Sequence, residues 1–215
     1  MAVGDELCKW DVRAGFPPTS NYATFLPRNT HSAVLYDDTT QESWYFEDVM
    51  PDFYGGGNIK VEVHWTTVTA TSGTGGWVVA FELIAETQDL DSDGFAADQT
   101  ITAVTVPGTS GQVKISSVTV TAGSATDSVA AGKMFRVKVA RDPANDTAVG
   151  DLELRMIRED VIAAECFRVG FRERQKPPLL DVAITRLLLF KGGKHLIPLV
   201  AGEGAVGDES SGGDP

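Results

Sequence analysis

A chain of 215 residues is long enough for one domain with a substantial buried core and room for an appended arm. With 42% apolar and 22% charged residues it is not a disordered acidic tail. Lys plus Arg total 18 against 30 Asp plus Glu, and a net charge of −12 repels phosphate backbones and anionic headgroups, which argues against nucleic acid or a membrane as partner.

The start, Met1-Ala2-Val3-Gly4-Asp5-Glu6, lacks the basic opening and apolar run of a secretory signal, and no segment reaches the length of a membrane span. The expectation is a protein made in the cytoplasm that stays soluble. Residues 1–21 are read as an N-terminal arm. Cys8 and Cys166 lie far apart without the spacing of a zinc knuckle or redox pair, so both are read as buried or idle thiols.

From residue 22 to 159 short runs of Val, Thr, Ile and aromatics alternate with Gly, Pro, Asn, Asp and Ser, which is an all-β pattern. Strands are predicted at Ala33–Tyr36 and Ser43–Val49, then at Ile59–Trp65, where apolar odd positions alternate with polar even ones. Val61, Val63 and Trp65 are expected inside, and His64 falls on the polar face. Trp77–Ile84, Thr100–Val106 and Val113–Thr121 follow. Met134–Val139 places Phe135, Val137 and Val139 inward, and Leu152–Met156 does the same for Leu152, Leu154 and Met156. About eight short antiparallel strands at this spacing suggest a jelly-roll-like β-sandwich.

Beyond Glu159 the alternation stops, and residues 160–215 are read as a C-terminal extension. Val161–Phe171 could begin as a short helix. Leu179–Phe190 suits either a helix or a buried strand, and Gly202–Pro215 has almost nothing to bury. Residues 1–160 carry 11 basic and 23 acidic side chains, residues 161–215 seven of each, so the core holds the whole excess.

No nucleophile elbow, phosphate loop, HExxH or dinucleotide fingerprint is present, and an enzyme is not expected. His31, His64 and His195 are widely separated. Asp37-Asp38 and Glu47-Asp48 are acidic pairs that a glycosidase could use only at the right separation. Asp89-Leu90-Asp91-Ser92-Asp93-Gly94 matches the first half of a calcium loop, so Asp89, Asp91 and Asp93 are the candidate metal ligands. Thr100 stands where the bidentate Glu belongs, and no other cofactor is expected. Among Trp44, Tyr45, Phe46, Phe53, Tyr54, Trp65 and Trp77, core packing is favoured over a sugar-stacking platform. Alternation in Trp44-Tyr45-Phe46 nevertheless directs at least one ring outward, to a subunit contact or a ligand.

The order of Asp37–Glu42, Tyr54-Gly55-Gly56-Gly57 with the strand ending at Trp65, the Asp89–Asp93 loop, and Ala130-Ala131-Gly132-Lys133 leading to Arg141-Asp142 resembles small β-sandwich virion proteins of tailed bacteriophages. The resemblance covers residues 22–159. It implies a non-enzymatic jelly-roll protein, commonly a homotrimer, that decorates and cements the capsid by binding the major capsid protein, and hence a place in the virion. The alternative is a tail-fibre or receptor-binding module that recognises host-surface glycans. On the decoration reading the contact residues are Trp44, Phe46, Phe167, Arg168, Arg172, Arg174, Leu187, Leu188 and Phe190.

Overall fold

The computed structural model describes residues 5–162, which form ten strands in two antiparallel sheets. In chain order these are β1 (Glu6–Asp11), β2 (Thr24–Phe25), β3 (Val34–Tyr36), β4 (Ser43–Val49), β5 (Asn58–Thr67), β6 (Thr74–Ile84), β7 (Gln99–Thr105), β8 (Lys114–Val120), β9 (Met134–Arg141) and β10 (Leu152–Ile162). The six-stranded sheet runs β2-β3-β10-β5-β8, with β1 also paired to β10. The four-stranded sheet runs β4-β9-β6-β7. The all-β sandwich expected from the alternation is therefore the fold.

Period-2 alternation decides which side chains fill the space between the sheets. Val61, Val63 and Trp65 from β5 meet Trp77, Val79 and Phe81 from β6 and Phe135, Val137 and Val139 from β9, all fully buried. Each such side chain contributes about 1.5–3 kcal/mol of burial. The polar tips of the rings are mostly satisfied in place: Trp65 Nε1 donates to Ser116 Oγ (2.9 Å), Trp44 Nε1 to the Val12 carbonyl (3.1 Å) and Tyr36 OH to the Val139 carbonyl (3.2 Å). Gly75 is small of necessity, because a Cβ there would run into the Trp65 ring.

The expectations need correction at three places. Residues 1–21 are not an arm throughout, since Glu6–Asp11 pairs with β10 from Asp160 to Met156 and buries Leu7, Cys8 and Trp10. Its register shift between Glu6 and Cys8 blurs the alternation that would have announced it. The sandwich also does not stop at Glu159, because β10 continues through Val161 and Ile162, where a helix start was expected. Finally, Met156 does not point inward. A bulge between Leu154 and Met156 changes the phase of β10, so that Ile157 takes the inward position and Met156 faces out. The remainder of the expected Val161–Phe171 helix, and Leu179–Phe190, lie outside the described residues.

The same bulge marks a seam. Along one edge of β10, Leu152–Leu154 pairs with β3 while Met156–Asp160 pairs with β1, so two short strands are laid end to end with Arg155 between them. The other edge pairs with β5 along nearly its whole length. A notch is thus left on the solvent side of the six-stranded sheet, where β1 ends at Asp11 and the chain re-enters at Ser32.

Candidate functional site

Two depressions, of roughly 600 and 380 Å3, open at this notch and adjoin at Asp11, His31 and Ser32, which line both; together they are called the trough. The larger is also lined by Arg28, His64, Arg155, Val113 and Gly111, the last lying against the Arg28 guanidinium. The smaller extends past Arg13, Phe25 and Pro27.

Each polar wall residue is fixed by backbone geometry. Arg28-Asn29-Thr30-His31 is a two-residue turn, with Arg28 and His31 exchanging both backbone hydrogen bonds at 2.9 Å. Both central residues are left-handed, Asn29 at φ 44° and Thr30 at φ 66°, the pattern of a type I′ hairpin. The Arg28 Nη1 donates to the Thr67 carbonyl (2.7 Å) and to Glu153 Oε2 (3.0 Å), and Thr66 Oγ1 donates to the same oxygen (2.5 Å). Glu153 is only 3% exposed, so Arg28 covers a buried carboxylate while the rest of its guanidinium borders the trough. Arg155, turned outward at the bulge, donates from Nη1 to the Ser32 carbonyl (2.9 Å).

Asp11 accepts from the Arg13 backbone (3.0 Å), from Arg13 Nε (2.7 Å) and from Ser32 Oγ (3.1 Å). Burial works against its charge, yet these hydrogen bonds outweigh it and hold the carboxyl below the usual range. His64 sits on the outward face of β5. Burial pushes its pKa down by more than the neighbouring Glu62 raises it, so its ring is neutral at pH 7, and its Nε2 is enclosed without a hydrogen-bond partner among the described residues. The trough therefore presents the guanidiniums of Arg13, Arg28 and Arg155, the Asp11 carboxylate, an amide at Asn29, and an apolar shelf at Phe25, which is 42% exposed.

The residues singled out from sequence fall elsewhere. Trp44 and Phe46 are core side chains at 5% and 0% exposure, as are Tyr54, Trp65 and Trp77, so they form no surface contact. The outward ring of that strand is Tyr45. It is itself covered by Phe16 and Phe95, with Arg136 stacked beside both Tyr45 and Phe95. Phe167, Arg168, Arg172, Arg174, Leu187, Leu188 and Phe190 lie outside the described residues. Glu47 and Asp48 do not form a working pair: they alternate along β4, Glu47 near Arg136 and Asp48 accepting from Trp10 Nε1.

Asp89, Asp91 and Asp93 are exposed and do not converge on a common point; Asp89 Oδ1 instead accepts from the Asp91 backbone to close its own turn (3.0 Å). Among the described residues the carboxylates that do converge are those of Asp37, Asp38 and Asp151, with ligand atoms within 4.8 Å of one another. Asp37 is held down at about 2 by hydrogen bonds from Thr39 and Thr40. Asp151 is pushed up by burial and by Asp37 and Asp38. Three such oxygens suit a hard divalent cation, although Asp38 is already bonded to the Gly150 backbone (2.7 Å).

The trough was not foreseen. Its members come from β1, the Arg28–His31 turn, β5, the loop before β8, and β10, and nothing in the local sequence joins them. The one available signal was the pair His31 and His64, which the fold brings to the same depression.

The sequence matches no protein-family model and no curated protein. Among solved structures, it is similar to the CBM22-1 and GH10 modules of Clostridium thermocellum endo-1,4-β-D-xylanase 10B complexed with xylohexaose. The identity is 13% and the TM-score 0.42, over 72% of this chain and 28% of that one. The CBM22-1 xylan-binding domain of Paenibacillus barcinonensis Xyn10C is 10% identical with a TM-score of 0.41, over 76% of this chain and 99% of that one. The family 11 carbohydrate-binding module of Clostridium thermocellum, in complex with a β-1,3-1,4-mixed-linked tetrasaccharide, is 9% identical with a TM-score of 0.40, over 76% and 98%. Likenesses this low assign no role to any residue of this chain.

Proposed function

We propose that this protein is a glycan-binding module that holds its ligand without cleaving it. The observation that carries the reading is the pair of adjoining depressions on the solvent face of the six-stranded sheet. It combines donors and acceptors for hydroxyl groups with an exposed aromatic face at Phe25. A sugar ring has an apolar face and a polar rim, and this wall supplies both.

Binding is favoured over hydrolysis by the state of Asp11. A glycosidase needs a carboxyl whose pKa is raised so that it can protonate the leaving oxygen. Asp11 is shifted the opposite way and is already engaged by Arg13 and Ser32. In the phage setting that the sequence resembles, such a module belongs to a tail fibre or receptor-binding assembly. The capsid-decoration reading, with a major capsid protein as partner and a homotrimer as its form, draws nothing from Trp44 and Phe46, which are core.

The test is retention of the full chain in gels containing dissolved polysaccharides, followed by titration calorimetry on those that retard it. Phe25→Ala, an exposed position, should weaken binding roughly five- to tenfold, the 1–1.4 kcal/mol of a stacking contact, with an unchanged melting temperature. A panel that shows no retention, or retention indifferent to Phe25 and His31, would remove the proposal.

A further inference from the structure

The distribution of charge around the trough specifies the ligand further. Residues 5–162 carry an excess of twelve acidic groups, yet the notch presents Arg13, Arg28 and Arg155 against a single facing carboxylate, Asp11. That carboxylate is taken up by Arg13 and Ser32. Glu153 lies beneath and engages only Nη1 of Arg28. Arg155 makes no ion pair among the described residues; its hydrogen bond is to the Ser32 backbone, a neutral acceptor.

Placement makes this guanidinium distinctive. Arg155 is the residue at the β10 bulge, in the gap between β1 and β3, and bulges re-aim side chains at the cost of local pairing. The facing turn holds Thr30, a β-branched residue, in a left-handed conformation, so the position of Arg28 and His31 is also maintained against strain. A guanidinium re-aimed by a bulge and a turn held against strain, converging on one cationic notch in an acidic protein, indicate an anionic guest. A planar guanidinium presents parallel N–H donors that match a planar carboxylate in a bidentate pair.

The geometry points to a carboxylated glycan, of the uronic acid class, as the ligand, its carboxylate seated on Arg155 beside Arg28 and its ring lying toward Phe25. This rests on the trough being a glycan site. The experiment is calorimetric titration of the full chain with an oligogalacturonate, with its methyl ester, which keeps the sugar backbone and removes the charge, with a neutral xylo-oligosaccharide, and with a sulfated oligosaccharide.

The oligogalacturonate should bind at least tenfold more tightly than its ester, and Arg155→Gln should erase that preference. Arg155→Lys, a point charge without the fork, should recover only part of it. Val113→Glu provides a second variant at a side chain that is 61% exposed on the trough wall, where folding is not at stake; it should weaken the oligogalacturonate by a larger factor than the methyl ester. Equal binding of ester and acid, or a preference for sulfate over carboxylate, overturns the inference and leaves the glycan site standing. No binding of any sugar overturns both.

Discussion

Glu159 is fully enclosed on the inward face of β10, and neither of its carboxylate oxygens has a hydrogen-bond partner among the described residues. Its cross-strand neighbours are Val61 and Cys8, and burial, reinforced by the charge of Asp48, pushes its carboxyl well above 4.5. A raised folded-state value means that the native protein keeps a proton that the unfolded chain releases. The stability associated with that proton is present below about pH 4.5 and is lost as pH rises through the folded value. Glu159→Gln keeps the shape and removes the ionisable group, so it should raise the melting temperature at pH 8 by at least about 2 °C, the shift given by 1 kcal/mol in a domain of this size. The gain should shrink toward pH 4. Equal gains at both pH values in thermal scans would mean that the charge of Glu159 is not what limits stability. The inward position was not legible: the phase set by Leu152 and Leu154 would turn Glu159 outward, and the bulge at Arg155 reverses it.

The Arg28–His31 turn shows how an element can carry a cost for a site. A type I′ hairpin favours glycine where both central residues need positive φ, and here the second central residue is Thr30. The left-handed conformation costs a β-branched residue about 1–2 kcal/mol, of which glycine's greater unfolded-state entropy offsets about 0.5–1. Thr30→Gly should therefore stabilise the protein by roughly 0.5–1 kcal/mol, seen as a small rise in denaturant midpoint at constant slope. A lower midpoint would show that packing, and not turn strain, governs this segment. The same scale explains what the sequence revealed. Strands with an undisturbed period, such as β4, β5 and β9, were legible nearly to the residue, because one buried face imposes strict alternation. Where a bulge interrupts the period, as at Arg155 in β10 and between Glu6 and Cys8 in β1, the alternation inverts midway. The inversions hid both the true inward residue, Ile157, and the strand from Glu6 to Asp11. The trough lies at one of those interruptions, which is why the site was less legible than the fold around it.

For the whole molecule, the decisive question is how much of the chain the trough needs. All ten described strands, the buried cluster between the sheets and the described residues lining the trough precede residue 163. Residues 161–215 carry seven basic and seven acidic side chains, so ending the chain after Ile162 leaves the net charge at −12 and the long-range field on an approaching anion nearly unchanged. A chain of residues 1–162 should therefore unfold cooperatively, with a melting temperature close to that of the full protein. It should also bind the preferred glycan within about twofold, a difference of roughly 0.4 kcal/mol. Raising salt from 50 to 500 mM should weaken both chains in parallel, since an exposed guanidinium–carboxylate contact is screened over about 10 Å at 0.1 M. A shortened chain that folds but no longer binds would show that the described sheet face is insufficient for recognition, and the glycan reading of the trough would fall with it.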